Sequence, residues 1–468
     1  MTSLPDIFMA SSREALGEGC AARLFAAIEA GESVTAVRAN PAKISVEDLA
    51  GHFKGAEPEP VPWCPDALYL KHRPVFALDP WFHSGAYYVQ DASSMFVSSI
   101  VAALKASCAA EWPDAGVSAA CGRRILDLCA APGGKSTSVA SLLSGDDLLV
   151  SNEVISSRAT VLAENMTKWG SPNAVVTSCD PSAFAAVPGF FDIMLTDVPC
   201  SGEGMFRKDA DAVGEWSADN VALCASRQRR IVSDAWPALK CGGYLIYSTC
   251  TFNRFENDDN VEWICAELGA EVVSVESVTD TACTGALKTR CGLQFVPGTT
   301  RGEGLFVALL RKNGAAEPVR RKSDRPNRMV KKCDCRLLVD GFNSYNITTS
   351  SGEQIIKGYP AALEADIRFL EGALRVIRSG IAVATVKGKD IIPSAALALS
   401  TAMASDAYPS VEIDLDQALA YLRLQPVVLQ DAPRGFVLLR YKGVAQGFVK
   451  NLGNRCNNLF PAAWRLRM

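Results

Sequence analysis

Two cysteines in this sequence stand where a thiol can do chemistry. Cys200 lies in the run DVPCSGEGM, which begins at Asp197, and Cys250 lies in YSTCT at residues 247–251. Each follows an apolar run and has polar neighbours, as a cysteine nucleophile requires. In a chain with sixteen cysteines most thiols are small core hydrophobes. We keep that interpretation for Cys20, Cys108, Cys224 and Cys265.

The scarcity of histidines and of metal-ligand pairs leaves cysteine and carboxylate side chains as the candidates for catalysis. The chain has three histidines, which makes histidine-centred hydrolysis a weak candidate: His52, His72 and His83. Cys333 and Cys335 approach the spacing of zinc ligands, but no second Cys or His pair follows them. We therefore expect no metal.

Composition excludes several classes of protein. A chain of 468 residues that is 49 % apolar and 21 % charged is neither disordered nor low in complexity, and its length suggests about two to four domains. We find no apolar run of membrane-spanning length, and residues 1–10 lack the features of a signal peptide. We expect a cytoplasmic protein with reduced thiols, and, at a net charge of −4, any bound nucleic acid must be held by local basic patches.

The elements that must position the two thiols alternate between apolar β-rich runs and helical stretches. The predicted strands are Arg124–Cys129, Leu148–Glu153, Ala174–Asp180, Phe191–Asp197, Gly243–Cys250 and Leu305–Leu310. Continuous apolar strands linked by helices predict an α/β fold with a doubly wound, Rossmann-like parallel sheet. Ligands bind such sheets beyond the carboxyl ends of the strands. This places one set of reactive residues on a common edge: Cys129, Glu153, Asp180, Asp197 and Cys250.

A glycine-containing loop follows the first predicted strand. The segment 125–137 reads ILDLCAAPGGKST, in which paired glycines allow close approach of a ligand and the following helix start offers free amides. Its GKS resembles the end of a Walker A loop, but Cys129 stands where that motif needs its first glycine. Nucleotide hydrolysis is therefore a minor alternative.

Glu153 lies nineteen residues after Gly134, at the end of the second strand. An acid at this point of such a fold accepts hydrogen bonds from ribose hydroxyls, which favours an adenosine-containing cofactor. An exposed helix-cap residue is the alternative for Glu153, and the same alternative holds for Asp180.

Two basic stretches follow the predicted sheet. The segment 313–332 has two prolines and a basic excess, which favours a linker, with phosphate contact as the alternative. The tail from Pro433 to Met468 has no Asp or Glu but seven Arg and Lys residues. That asymmetry indicates a nucleic-acid face, with a small β domain of basic surface as the alternative.

Taken together, these segments resemble the Nol/Nop/Sun family of RNA cytosine-5 methyltransferases, and within it the bacterial RsmF-type enzymes of small-subunit ribosomal RNA. The resemblance covers nearly the whole chain, and its most specific part is the pair of cysteine motifs. Further segments carry it: 33–41, 61–64, 85–95, 302–306 and the tail. DNA cytosine methyltransferases resemble the chain only in part, because they use the proline-cysteine thiol and lack the second.

The resemblance implies S-adenosyl-L-methionine as cofactor and assigns roles by position. Cys250 matches the nucleophile, Cys200 the thiol that releases product, and Asp197 a group between cofactor and target base. The implied cofactor-binding residues are Cys129, Ala130, Ala131, Pro132, Gly133, Gly134, Lys135, Glu153, Asp180 and Asp197. The implied partner is RNA, most of all ribosomal RNA or the small subunit, bound by a monomer that needs no membrane. A tRNA cytosine-5 methyltransferase and a non-catalytic RNA-binding assembly factor stay as alternatives.

Composition and the resemblance together divide the chain into five predicted regions. They are an α-rich N-terminal RNA-binding or accessory region (1–85), the methyltransferase domain (86–312), the basic linker (313–332), a C-terminal α/β segment (333–379) and a small β, PUA-like RNA-binding module (380–468).

Overall fold

The computed structural model describes residues 4–111, 122–314, 331–333, 335–349 and 352–467. Its strands form sheets of four, ten, five and four strands. Within these ranges no helix is both long and apolar enough to cross a membrane. Most of the predicted linker 313–332, and the side chain of Cys108, lie outside the described residues.

The N-terminal part combines four helices with a small antiparallel sheet of order β2-β3-β1-β4. Its elements are α1 (Asp6–Leu16), α2 (Glu18–Ala30), β1 (Thr35–Ala39), α3 (Val46–His52), β2 (Pro58–Val61), β3 (Cys64–Leu70), α4 (Pro80–His83) and β4 (Tyr87–Val89). All five residues of β1 are buried. A capping box starts α3: the Ser45 hydroxyl accepts from the Asp48 amide at 3.0 Å, and the Asp48 carboxylate accepts from the Ser45 amide at 3.1 Å.

The central part is a doubly wound α/β unit. Its elements are α5 (Ala92–Glu111), β5 (Arg124–Asp127), α6 (Gly134–Ala140), β6 (Leu148–Asn152), α7 (Ser156–Trp169), β7 (Ala174–Thr177), β8 (Phe191–Asp197), α8 (Ala210–Glu215), α9 (Ala218–Ala235), β9 (Leu239–Thr249), α10 (Asp258–Leu268), β10 (Ala270–Val273), β11 (Leu287–Lys288), β12 (Leu293–Phe295) and β13 (Leu305–Lys312). Five strands run parallel in the order β9-β8-β5-β6-β7. Antiparallel β13 pairs with β9 along one edge. On its other edge, β12 pairs with the first part of β13 and β10 with the last part. All six predicted strands are present, so the predicted fold class is confirmed.

Both faces of this sheet are covered, which explains why its strands read as continuous apolar runs. One face packs against α5 and α7 through residues such as Phe96 and Leu162. The other packs against α9 and α10 through residues such as Ile231 and Ile264.

The C-terminal part begins by extending the central sheet. Its elements are β14 (Lys331–Cys333), β15 (Phe342–Thr348), β16 (Gln354–Pro360), α11 (Glu364–Ala373), β17 (Val376–Arg378), β18 (Ile381–Lys387), β19 (Asp390–Pro393), α12 (Ala395–Leu399), β20 (Ser410–Glu412), α13 (Leu415–Leu422), β21 (Gly435–Tyr441), β22 (Val444–Asn451) and β23 (Cys456–Asn458). Strand β17 pairs antiparallel with β7, and α11 packs Ile367 and Leu370 onto the second face of the central sheet. An ion pair of 2.5 Å between Arg124 and Asp366 adds to this attachment.

Two small sheets complete the chain. The first has the order β14-β15-β16-β18-β19, and the second has the order β20-β21-β22-β23. Pairing of β16 with β18 runs across the predicted boundary at residues 379 and 380, and pairing of β1 with β4 runs across the one at 85 and 86. The division into five regions stays a prediction.

Candidate active site

The carboxyl ends of β5 to β9 form one edge of the central sheet, and the loops that follow them carry the predicted site residues. Strands β5, β6 and β7 end two, one and three residues before Cys129, Glu153 and Asp180, respectively. The loops after β8 and β9 carry Cys200 and Cys250. Because the strands are parallel, five loops distant in sequence meet at this edge.

The loop after β5 is held by its backbone and by its glycines. The amide of Leu128 donates to the oxygen of Leu195 at 2.9 Å, and that of Ala130 donates to the oxygen of Asn152 at 2.8 Å. Gly133 has a φ of +117°, and an added Cβ would lie 3.2 Å from Cδ1 of Leu162. Helix α6 starts at Gly134, so the loop opens into a helix start as predicted.

Asn152, the last residue of β6, ties three strand ends together. Its side-chain amide donates to the oxygens of Leu128 at 3.2 Å and Cys179 at 3.0 Å. Its side-chain oxygen accepts from the Thr177 hydroxyl at 2.8 Å and the Cys179 amide at 3.0 Å. Sequence reasoning missed this residue, although a buried polar side chain at the end of an apolar strand is a recognisable signal.

Three carboxylates lie along the β5 to β7 side. Asp127 is fully buried; Oδ2 accepts from the Ser136 hydroxyl at 2.7 Å, whereas Oδ1 has no hydrogen-bond partner among the described residues. Burial raises the pKa of Asp127 to about 7, against the Ser136 hydrogen bond, which lowers it.

Glu153 and Asp180 differ in exposure. Glu153 is only 3 % exposed and accepts from the amide of Ile155 at 3.0 Å, so it is not an exposed cap. Asp180 has a side chain 47 % exposed and caps the 3-10 turn that follows it, accepting from the amide of Ser182 at 3.1 Å. The helix-cap alternative therefore describes Asp180 correctly and Glu153 incorrectly.

The two predicted reactive thiols meet at the ends of neighbouring strands. Cys200 Sγ and Cys250 Sγ are 2.9 Å apart, and both side chains are partly exposed. The hydrogen bond to Cys250 and then burial raise the pKa of Cys200 well above its ordinary value, and the charge of Cys250 adds to this. The Cys200 thiol therefore holds its proton more tightly than an ordinary cysteine does.

A lysine and an aspartate lie beside the thiols. Lys135 Nζ is 2.8 Å from Asp197 Oδ2, and Asp197 Oδ1 accepts from the Ser248 hydroxyl at 2.9 Å. Burial lowers the pKa of Lys135, but the negative charges of Asp197, Asp127 and Cys250 and the hydrogen bond to Asp197 exceed it, so the pKa is raised. Lys135 thus stays an ammonium group and joins the cofactor loop to the thiol loops.

Two buried carboxylates hold the thiol loops to each other. Glu203, from the Cys200 loop, accepts from the Thr251 hydroxyl and from the Phe252 amide at 2.7 Å. Glu256, from the Cys250 loop, accepts from the Ser201 amide at 3.0 Å. The side-chain amide of Asn253 donates to both carboxylates at 2.9 Å. This reciprocal clamp fixes the two sulfurs relative to each other, and sequence reasoning gave neither Glu203 nor Glu256 a role.

Close packing and ion pairing complete the loops. At Gly204 an added Cβ would lie 2.3 Å from the backbone oxygen of Cys250, so only glycine fits there. Arg207 and Lys208, which follow, pair with Glu303 at 2.7 and 3.1 Å.

Cys20 and Cys224 are buried, as predicted for core thiols. No group of three metal-ligating side chains occurs in the described part of the chain.

Family models match three stretches of this chain. A model of 16S rRNA methyltransferase RsmB/F matches residues 118–311, one of the N-terminal domain of 16S rRNA methyltransferase RsmF matches 4–92, and one of the methyltransferase RsmF PUA domain matches 408–466. Among solved structures, a methyltransferase homolog from Pyrococcus horikoshii is 25 % identical, with TM-score 0.52, over 66 % of this chain and 95 % of that one. NSun6 from the same organism, solved with SFG, is 20 % identical, with TM-score 0.52, over 66 % of this chain and 98 % of that one, and shows the shared fold.

Curated relatives extend the match to the whole chain. Proteins named ribosomal RNA small subunit methyltransferase F are 32 % identical in Shewanella loihica, over 91 % of this chain and 88 % of that protein, and 31 % identical in Klebsiella pneumoniae, over 98 % and 95 %. The one from Cronobacter sakazakii is 37 % identical over 68 % of this chain and 65 % of its own length. The resemblance predicted from the motifs is confirmed. With the thiol pair at the edge of a methyltransferase sheet and relatives that match along almost their full length, the chain belongs to the RsmF family of small-subunit ribosomal RNA methyltransferases.

Proposed function

We propose that this ribosomal RNA methyltransferase transfers a methyl group from S-adenosyl-L-methionine to carbon 5 of a cytosine in small-subunit RNA, through a covalent adduct with Cys250. The observation that carries the proposal is the pair of thiols 2.9 Å apart beside the Lys135–Asp197 ion pair. Cytosine carbon 5 is a poor nucleophile, and addition of a thiolate to carbon 6 makes it reactive.

The residues on the β5 to β7 side fit an adenosine-containing cofactor. Oδ1 of buried Asp127, the last residue of the strand that leads into the glycine loop, has no protein partner in the described residues. A carboxylate offers about four acceptor positions, and Glu153 uses one for the Ile155 amide and faces Arg158 at 3.4 Å. This leaves acceptor capacity for the two ribose hydroxyls. When bound, S-adenosyl-L-methionine supplies an electrophilic methyl group and a positive sulfonium charge.

The thiols divide the protein's work in the proposed reaction. Cys250 attacks carbon 6 as a thiolate, helped by the hydrogen bond from Cys200 and by the nearby ammonium of Lys135. Asp197, whose carboxylate is held by Lys135, is placed to contact ring nitrogen 3 as the enamine forms. After methylation, the proton on carbon 5 passes to Cys200 or to a base that it assists, the bond between Cys250 and carbon 6 breaks, and Cys250 leaves as a thiolate.

The contacts of Cys200 also support the step at which we propose that it acts. The pKa of Cys200 is raised first by its hydrogen bond to Cys250, then by burial and by the charge of Cys250. Once Cys250 has become a thioether, that hydrogen bond and that charge are gone, whereas burial remains. Two of the causes that keep the proton on Cys200 are thus removed before the step that needs a base.

Cysteine variants test the proposal. Each is incubated with cofactor and unmethylated 16S rRNA and run on a denaturing gel, with and without ribonuclease. Cys250→Ala should abolish methylation and any covalent link, because no adduct forms. Cys200→Ala should lose turnover yet trap protein on RNA, and the double variant should trap nothing. Cys224→Ala, a buried thiol on α9, is the matched control and should behave as the wild type.

Other outcomes would reverse or remove the assignment. Trapping by Cys250→Ala and none by Cys200→Ala would give the order of thiols found in DNA cytosine methyltransferases. Full activity of either variant would return that thiol to a packing role. Bisulfite sequencing of RNA from cells with and without the gene identifies the methylated cytosine, and a signal confined to tRNA would select the tRNA alternative.

A further inference from the structure

The two ends of this chain share one hydrophobic core. Val37 and Phe53 of the N-terminal part and Tyr421 and Val437 of the C-terminal part belong to the same buried cluster. The Trp81 indole also donates to the backbone oxygen of Tyr441 at 3.2 Å. The segments matched separately by the RsmF N-terminal and PUA models therefore form one body, whose seam joins residues almost 400 positions apart.

A cavity of about 410 Å³ opens on this seam. That volume holds on the order of ten water molecules. Lys43, His52 and Trp81 line it from the N-terminal side, and Lys442 lines it from the turn between β21 and β22. The His52 and Trp81 rings stack with their centroids 4.3 Å apart, which gives the cavity a fixed wall.

The cations of this cavity are not matched by carboxylates. Lys43 Nζ donates to the backbone oxygens of Ser84 at 2.7 Å and Lys168 at 2.6 Å, and burial lowers its pKa to about 7. The exposed Lys442 has its Nζ 3.4 Å from His52 Nδ1. Among the described residues, no carboxylate forms an ion pair with either lysine.

Asp48 and Asp79, the acidic groups near the cavity, accept hydrogen bonds from residues other than the two lysines. Asp48, which lines it, accepts from the amide and the hydroxyl of Ser45 at 3.1 and 2.9 Å. Asp79 lies behind His52, with Oδ2 2.8 Å from His52 Nε2 and accepting from the Tyr87 hydroxyl at 2.8 Å. The ammonium group of Lys442 and the side-chain nitrogen of Lys43, which a pKa of about 7 leaves partly charged at neutral pH, thus line a polar space without forming an ion pair within the described part of the chain. An incoming anion would supply one.

We propose that the seam cavity binds a backbone phosphate of the substrate RNA, with the ammonium group of Lys442 and the side-chain nitrogen of Lys43 as its ligands. The inference rests on the proposed function for the identity of the RNA. Phosphates are the anions that such a substrate presents in number, and lysine binds them as a point charge. Because the site draws on both ends of the chain, it would hold RNA only when the N-terminal and C-terminal parts are joined.

Lys442 is the residue to vary, since Lys43 also supports the fold through two backbone oxygens. Lys442 has a φ of +46°, a conformation that asparagine adopts readily, so Lys442→Asn removes the charge without backbone strain. Lys442→Arg keeps the charge and serves as the rescue variant. Lys288→Asn is the matched control, because Lys288 is an exposed lysine of the central part that pairs with Glu276 at 2.5 Å. Truncation of the tail is unsuitable, since β21 and β22 contribute to the shared core.

The measurement is filter binding to deproteinised 16S rRNA over a range of salt concentrations. Lys442→Asn should weaken binding about threefold to tenfold near 0.1 M salt and lower the slope of log affinity against log salt by about one. Lys442→Arg should restore both values, and Lys288→Asn should change neither. An unchanged slope in Lys442→Asn, or an equal loss in Lys288→Asn, would overturn the proposal.

Two further arms separate the possible causes of failure. If inorganic phosphate alone raises the melting temperature of the wild type but not of Lys442→Asn, while the RNA slope is unchanged, the site takes free phosphate and the RNA assignment is wrong. Covalent trapping by Cys200→Ala is read in parallel on the same RNA. Trapping with an unchanged Lys442→Asn slope leaves the proposed function standing and removes only the phosphate site.

Discussion

Along the edge where the parallel strands end, two groups of loops face each other. The loops after β5, β6 and β7 form the cofactor half, which contains residues 129–135, Glu153 and Asp180. The loops after β8 and β9 form the thiol half, which contains residues 198–207 and 250–257. The cofactor half is tied together by a neutral side chain, Asn152, and by backbone hydrogen bonds, whereas the thiol half is tied by two buried carboxylates.

The carboxylates of the two halves also differ in how many hydrogen bonds they accept. Glu203 accepts hydrogen bonds from Thr251, Phe252, Asn253 and Trp216. Asp127, at the base of the cofactor half, keeps one oxygen without a partner among the described residues. The half that must receive a ligand keeps an unused carboxylate oxygen, whereas in the half that must hold two sulfurs in place both oxygens of Glu203 and of Glu256 accept hydrogen bonds. Changes in the thiol half should therefore cost more.

The largest effect is expected for Glu203→Gln. The amide nitrogen of glutamine would face N–H donors, so the loop after Cys250 loses its anchor and the sulfurs separate. We expect at least a hundredfold loss of methylation, because small displacements of reacting groups cost that much, and a loss of about 2–4 kcal/mol in the free energy of unfolding. Methyl transfer assays and urea denaturation measure the two.

Glu262→Gln is the matched control for this prediction. Glu262 lies on α10, is half exposed and pairs with Arg290 at 3.0 Å at the surface, where an ion pair contributes little. It should retain full activity. Normal turnover and normal adduct formation in Glu203→Gln would show that the clamp does not position the thiols.

A second prediction uses the unsatisfied Asp127. Burial raises its pKa from an ordinary 3.8 to about 7, so the folded state holds this proton more tightly than the unfolded state does. Its contribution to stability is complete below about pH 4 and is lost as pH rises through about 7. Between pH 5 and pH 8 the wild type should lose about 2–3 kcal/mol that Asp127→Asn keeps. Urea denaturation of both proteins at the two pH values tests this.

Asp147→Asn provides a control of opposite sign. Hydrogen bonds from Lys105 and Ser144 outweigh burial and lower the pKa of Asp147, so that carboxylate contributes stability that is lost as pH falls. If the free energy of unfolding changed equally with pH in the wild type and in Asp127→Asn, Asp127 would not be a buried carboxyl group with a raised pKa.

The sequence predicted the central sheet because its strands are apolar on both faces, and a sheet covered on both faces requires that pattern. It also placed Cys129, Glu153, Asp197 and Cys250 on one edge, because parallel strands end together. It did not reveal the clamp. Glu203 and Glu256 lie 53 residues apart, and only the pairing of β8 with β9 brings their loops together.

Other features escaped the sequence because they depend on long-range packing. Strand β17 joins β7 across some 200 residues, and a three-residue strand leaves almost no periodic signal. The shared core of the two chain ends has the same origin, since each end alone reads as a separate small domain. The ion pairs of Arg207 and Lys208 with Glu303 have the same origin, because Glu303 lies in the distant 302–306 segment.

A third prediction concerns ligand binding by the cofactor half. Glu153→Ala should weaken binding of S-adenosyl-L-methionine by about 1–3 kcal/mol, because a buried carboxylate makes charge-assisted hydrogen bonds to hydroxyls. Calorimetric titration measures the change directly. Glu153→Gln, which keeps one acceptor oxygen, should lie between the wild type and the alanine variant. An unchanged dissociation constant with an intact fold would remove Glu153 from the cofactor site.

The smallest effect is expected at the solvent end of the cofactor half. Asp180 is 47 % exposed at its side chain, and its Oδ1 already accepts from the amide and the hydroxyl of Ser182. Asparagine caps a helix as well as aspartate does, so Asp180→Asn keeps the local structure. It removes a charge that water screens, together with an exposed ion pair to Arg230 at 3.6 Å. We expect it to weaken binding of S-adenosyl-L-methionine by less than about 1 kcal/mol, measured by the same titration at low and at moderate salt. A larger loss of affinity in Asp180→Asn than in Glu153→Ala would show that burial does not determine how much each carboxylate contributes to cofactor binding. Binding of the adenine would then depend on the Asp180 charge itself.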